Sequence, residues 1–91
     1  MQIEPKHLEI VKSILHSKPQ AFYVFGSRAN NTARELSDLD ILVKSSISTL
    51  ELSQLREEFE ESNLPFKVDL VVWQEISTSF RNKILKDMTA I

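Results

Sequence analysis

The sequence predicts an α/β (α+β) fold: a small mixed sheet of about three main strands flanked by helices. Three observations predict it. Apolar residues recur at helical spacing in three stretches, and three short aromatic or β-branched runs lie between or after them. The two kinds of segment alternate without a repeat, a low-complexity tract or a linker long enough to divide domains, so residues 1–91 are expected to form one domain.

Leu8, Val11, Ile14 and Leu15 follow Pro5, a residue suited to a first helical turn, and predict an amphipathic helix over Pro5 to Ser17. Lys18-Pro19 ends it. Ala21 to Phe25 has no polar interruption and predicts a strand buried on both faces, which stops at Gly26-Ser27. Arg28 to Leu36 lacks periodicity and holds the turn formers Asn30, Asn31 and Thr32, so an excursion with at most a helical turn is expected there. Ser37 to Lys44 alternates with period two: Asp38, Asp40 and Leu42 point one way, and Leu39, Ile41 and Val43 the other.

Ser48 and Glu51 have capping-box spacing, and Leu52, Leu55 and Phe59 continue on one face, giving a helix from about Ser48 to Ser62. Its outer face carries Glu51, Glu57, Glu58, Glu60 and Glu61, a solvated helix surface. Asn63-Leu64-Pro65 breaks it. Phe66 to Trp73 predicts a third strand, apolar enough to be central, and Ile76, Phe80 and Ile84 predict a last helix over Glu75 to Lys86.

Composition excludes several classes. With no Cys, no disulfide can staple the chain, so its 42% apolar residues must build the core unaided. A chain of this size buries only about 60–65% of its unfolded surface, which makes a partner surface a natural complement. The formal charge of −2 argues against binding to a nucleic-acid backbone. No apolar run approaches the ~20 residues of a membrane span, and Met1 to Pro5 does not resemble a signal peptide, so a cytoplasmic protein is expected.

The chemistry-bearing residues are a Gly-Ser at a strand end, an Asp-x-Asp on the next strand and a further Asp on a third. Gly26, the only Gly, follows a strand and precedes Ser27, where a turn could offer backbone N–H groups to a phosphate; such a turn needs no ligand, so this signal alone is weak. Asp38 and Asp40 project from one face of a strand, about 6.7 Å apart at Cα. Asp is depleted from strands, and an edge strand open to solvent is the alternative to a ligand site. Asp69 interrupts Val68-Asp69-Leu70-Val71-Val72, where an apolar residue would fold better. If the two strands are neighbours, three carboxylates converge, and each like-charge pair near 4 Å costs on the order of 4 kcal/mol at an effective dielectric of 20. A hard divalent cation held by oxygen ligands, Mg²⁺ or Mn²⁺, would relieve that repulsion. Such parts suit phosphoryl-group transfer, with Asp69 placed to take the acceptor's proton. Arg28 stands where it could reach a phosphate or pair with a carboxylate. His7 and His16 lack a second ligand at metal spacing, and Trp73 and Tyr23 suit packing better than base stacking.

Gly26-Ser27, ten intervening residues and Asp38-Leu39-Asp40 resemble the signature of the polymerase β nucleotidyltransferase superfamily. Phe25-Gly26-Ser27-Arg28-Ala29, Ser37 to Val43, Leu64 to Val71 and Ile76 to Arg81 are similar to the minimal nucleotidyltransferases called MNT proteins. The resemblance spans nearly the whole chain. It implies the polymerase β-like fold and the antitoxin of a HEPN-domain toxin, transferring AMP from ATP to a tyrosine of that toxin. It also implies that Gly26 and Ser27 hold the triphosphate, that Asp38 and Asp40 bind both metals, and that Asp69 completes the site. One departure is Asn30-Asn31, where relatives carry a Gly; Asn tolerates left-handed backbone, which would preserve the turn. The size of the chain leaves no room for an acceptor domain, in keeping with a protein acceptor. The competing reading is a non-catalytic subunit that neutralises its partner by occlusion.

Overall fold

The computed structural model describes all residues, Met1 to Ile91. Helix α1 (Pro5–Leu15) begins with Pro at its first position and buries Val11 and Leu15. It ends two residues short of Ser17, because Lys18 N–H turns back to the Leu15 carbonyl and Ser17 Oγ donates to that of Ile14. Strand β1 (Phe22–Phe25) runs into a 3₁₀ turn over Gly26–Arg28, and β2 covers Leu39–Val43. Helix α2 (Thr49–Glu60) has the expected capping box: Glu51 N–H donates to Ser48 Oγ, and Ser48 N–H donates to Glu51 Oε1. Strand β3 (Val68–Val72) leads through a second 3₁₀ turn, Trp73–Glu75, into α3 (Thr78–Leu85), and β4 is the two-residue strand Thr89–Ala90.

The sheet order is β3-β2-β1-β4. β1 pairs antiparallel with β2 and β4, whereas β2 and β3 are parallel. A parallel pair needs a crossover, and α2 supplies it. On one face of the sheet Phe22, Val24, Leu39, Ile41, Val43, Leu70 and Val72 pack with residues of α1 and α2 into the main core. On the other face Phe25, Leu42 and Ile84 form a smaller cluster beneath α3, joined by Tyr23, Val71 and Trp73. No helix is long and apolar enough to cross a membrane.

Further expectations change, beginning with β2, which starts at Leu39 and so leaves Asp38 just outside the strand. β1 is not sealed on both faces, since Tyr23 lies half-buried under the thinner layer that α3 provides. β3 is an edge strand, not a central one, and Asp69 is exposed. Its apolar composition arises because both of its faces are covered even though one edge is not. The last helix starts later than Glu75, because Ser77 caps it by accepting from Phe80 N–H. β4, which the sequence did not announce, lets the C-terminus add to β1, with Ile91 N–H donating to the Phe22 carbonyl.

Candidate active site

The site forms where β1 ends and β2 and β3 begin. Register places Asp40 opposite Phe25 on one side and Asp69 on the other. The pleat puts Asp40 and Asp69 on the face of Leu42 and Val71, the side covered by α3. Neighbouring strands lie about 4.8 Å apart, so these two carboxylates share one patch of surface. Asp38 lies just before β2 and is exposed, as Asp69 is, while Asp40 is half-buried. Burial, then Asp69 and then Asp38, push the Asp40 carboxyl up from its usual 3.8 to about 6.

Gly26 closes the site from the β1 side. Its φ is +75°, a conformation that side-chain-bearing residues avoid, and a Cβ there would come within 2.5 Å of Asp40 Oδ2. Two independent constraints therefore demand Gly: the left-handed backbone and the carboxylate lying against it. The turn is closed by Ala29 and Asn30 N–H donating to the Gly26 carbonyl and by Thr32 N–H donating to that of Ser27. Asn31 has φ 63°, so the left-handed turn survives without a second Gly, as Asn's tolerance of that region allows. Asn30 Oδ1 accepts from Thr32 N–H at 3.2 Å and bends the loop further.

Arg28 departs from expectation. It is 5% exposed, the sole buried charged residue, and its guanidinium turns inward. Nε and Nη2 donate to the Ser37 carbonyl at 3.0 and 2.7 Å, Nη2 also donates to that of Glu35 at 3.1 Å, and Nη1 donates to that of Gln2 at 3.0 Å. The plane lies over the Phe66 ring, 4.1 Å from its centroid. A group with its donors so committed does not reach out to a phosphate, and it makes no ion pair with a carboxylate either. Burial lowers its pKa, against a smaller opposing pull from Asp38.

The residues present fit a hard divalent cation. The protein's two ion pairs, Lys6 with Glu4 and Lys18 with Glu58, lie elsewhere, so no side-chain cation neutralises Asp38, Asp40 and Asp69. No three acidic, imidazole or thiol groups stand close enough together to hold a metal ion by themselves, so substrate oxygens and water would have to complete its shell. An open oxygen site of this kind suits Mg²⁺, which keeps waters and takes substrate phosphates as ligands. Beside it, Asp69 borders a groove of about 420 Å³ floored by Phe59, Leu64 and Phe66.

Residues 9–91 match the family described as "Polymerase beta, Nucleotidyltransferase". The chain belongs to the polymerase β nucleotidyltransferase family. A relative from Haemophilus influenzae, named "Probable protein adenylyltransferase MntA", is 39% identical over 90 residues, covering 94% of this chain and 79% of the relative. A solved minimal nucleotidyltransferase superposes with a TM-score of 0.76 at 28% identity, covering 100% of this nucleotidyltransferase and 97% of that chain. A toxin-antitoxin crystal structure with AMP-PNP gives 0.68 at 25% identity, over 90% of this chain and 69% of that one. The mixed sheet with its three helices is the polymerase β-like fold that the motifs imply.

Proposed function

We propose that this nucleotidyltransferase is an antitoxin that transfers AMP from ATP to a tyrosine of a partner HEPN-domain toxin. The observation that carries the reading is Asp40, half-buried between Asp69 and the Cβ-free Gly26, with no protein cation to balance it. Such an arrangement costs the fold stability, and a site for a metal-bound triphosphate would make use of it. The adenylyltransferase name of the Haemophilus relative and the toxin-antitoxin structure holding AMP-PNP support the substrate and the partner class.

In this reading Gly26 and Ser27 cradle the triphosphate through the 3₁₀ turn, and Asp38 and Asp40 hold two Mg²⁺ or Mn²⁺ ions, with Asp69 a ligand to one. When bound, the ions polarise the acceptor oxygen and stabilise the departing pyrophosphate. The tyrosine oxygen forms a bond to the α-phosphorus as the bond to pyrophosphate breaks. Asp69, exposed on the edge strand, accepts the phenolic proton at its carboxylate.

The test is the intact mass of a HEPN-domain toxin after co-expression with the wild type or with the Asp38→Asn, Asp40→Asn double variant. The expected outcome is one or more AMP units added by the wild type alone. An unmodified toxin bound tightly by both proteins would replace this reading with neutralisation by occlusion.

A further inference from the structure

We infer that the N-terminal strap and Arg28 form a clip that positions Asp38, making Gln2 a positioning residue of the metal site. The inference rests on the proposed function, since it takes Asp38 as a metal ligand. Between Ser27 and Asp38 the chain makes a ten-residue excursion with little regular structure beyond the 3₁₀ turn, yet its two ends must be set against each other for the site to work. Asp38 precedes β2, so the sheet holds it from one side alone, through Leu39 N–H donating to the Lys67 carbonyl, and its approach from the excursion must be fixed by other ties.

The clip does so from both sides. Arg28 gives two N–H groups to the carbonyl of Ser37, the residue immediately before Asp38, and thereby ties the start of the excursion to its end. Gln2 then locks that tie. Its N–H donates to the Arg28 carbonyl at 2.6 Å and its own carbonyl accepts from Arg28 Nη1. Its side-chain amide imitates a peptide group, with Nε2 donating to the Ala33 carbonyl at 2.8 Å and Oε1 accepting from Ala33 N–H at 2.9 Å. Met1 to Glu4 have no regular structure of their own. Ile3 packs against the main core and anchors the strap. The turn is completed by Arg34 N–H donating to Ser37 Oγ.

Gln2 is exposed, so its replacement spares the core, and Gln2→Pro removes both the backbone donor and the amide pair. Wild type, Gln2→Ala and Gln2→Pro full-length chains are compared by amide hydrogen exchange without ligand and by Mn²⁺ titration, read by electron paramagnetic resonance, with a non-hydrolysable ATP analogue. The expected result for Gln2→Pro is about tenfold faster exchange over residues 30–38 and about tenfold weaker Mn²⁺ binding, with exchange in α2 and β3 unchanged. Gln2→Ala gives smaller changes in the same order. Unchanged exchange, or faster exchange with wild-type Mn²⁺ affinity, overturns the positioning role while leaving the proposed function standing. A wild type that binds no Mn²⁺ with nucleotide overturns the proposed function, and the positioning role with it.

Discussion

Arg28, the one buried charged residue, and Asp40, half-buried a strand away, are treated in opposite ways. The Arg28 guanidinium is enclosed, stacked on Phe66 and bonded to the carbonyls of Gln2, Glu35 and Ser37. Asp40 is only half-buried, yet its nearest charges are like charges, and its carboxyl is raised to about 6. A buried charge whose partners are all internal belongs to the architecture; one left repelled within a sheet waits for a partner from outside. The comparison separates residues that build the site from residues that do its chemistry, although both stand within a few positions of the same motif.

The largest expected effect tests the architectural side. Arg28→Met keeps a stem to cover Phe66 but strands three inward carbonyls, each costing about 1–3 kcal/mol when left unpaired, offset by the relief of a desolvated charge. A net loss of about 2–3 kcal/mol is expected, a fall in Tm of about 8–24 °C for a domain of this size. Urea unfolding of the two proteins measures it. Unchanged stability would show that Arg28 is free for ligand, and the contrast with Asp40 would collapse.

Gly26→Ala comes next and joins the two regions. A left-handed φ costs a residue with a Cβ about 1–2 kcal/mol, and the new methyl must displace the Asp40 carboxylate. A stability loss of that size by urea unfolding should accompany loss of Mn²⁺ binding in the presence of nucleotide. Retained binding would mean that Asp40 can swing aside without harm to the site.

Much of this was legible in the sequence, and the exceptions have one cause. The capping box of α2, the alternation of β2 and the Gly-Ser turn are local signals, and each lies where its residues predict. Asp40 opposite Asp69 followed from two strands being neighbours. What could not be read is contact across long sequence separations. The carbonyls that enclose Arg28 come from residues 2, 35 and 37. Nor does apolar content reveal an edge: in β3 it reports two covered faces, Leu70 and Val72 on one and Val71 on the other, and says nothing of the open side. β4, two exposed residues long, is too short to carry a period.

Asp40→Asn sharpens the chemical side at a smaller energy. A folded carboxyl raised from 3.8 to about 6 contributes stability that is fully present below the unfolded value and lost as pH rises through about 6. The ligand-free protein should therefore lose stability across that window, and Asp40→Asn should flatten the profile. Near neutral pH the substitution relieves the burial of a charge and the repulsion from Asp69 and Asp38, together about 1 kcal/mol for a half-exposed group, raising Tm by about 4–8 °C while abolishing the proposed AMP transfer. Thermal melts from acid to neutral pH check the sign; a destabilised variant would make Asp40 a structural acceptor, no different in kind from the carbonyls around Arg28.

The smallest effect is expected at Asn31, which lies between the two regions. Its φ of 63° is one that Gly adopts freely and Asn at small cost, while Gly loses more backbone freedom on folding. The two terms oppose each other, so Asn31→Gly should move stability by less than about 0.5 kcal/mol in either direction. Because the clip and the 3₁₀ turn already hold the loop from both ends, nucleotide affinity should also stay at the wild-type value, as fluorescence titration with a labelled ATP analogue would record. A marked gain in affinity would instead show that the loop's own backbone, and not the ties made by Gln2 and Arg28, limits how well the Gly26 turn receives a triphosphate.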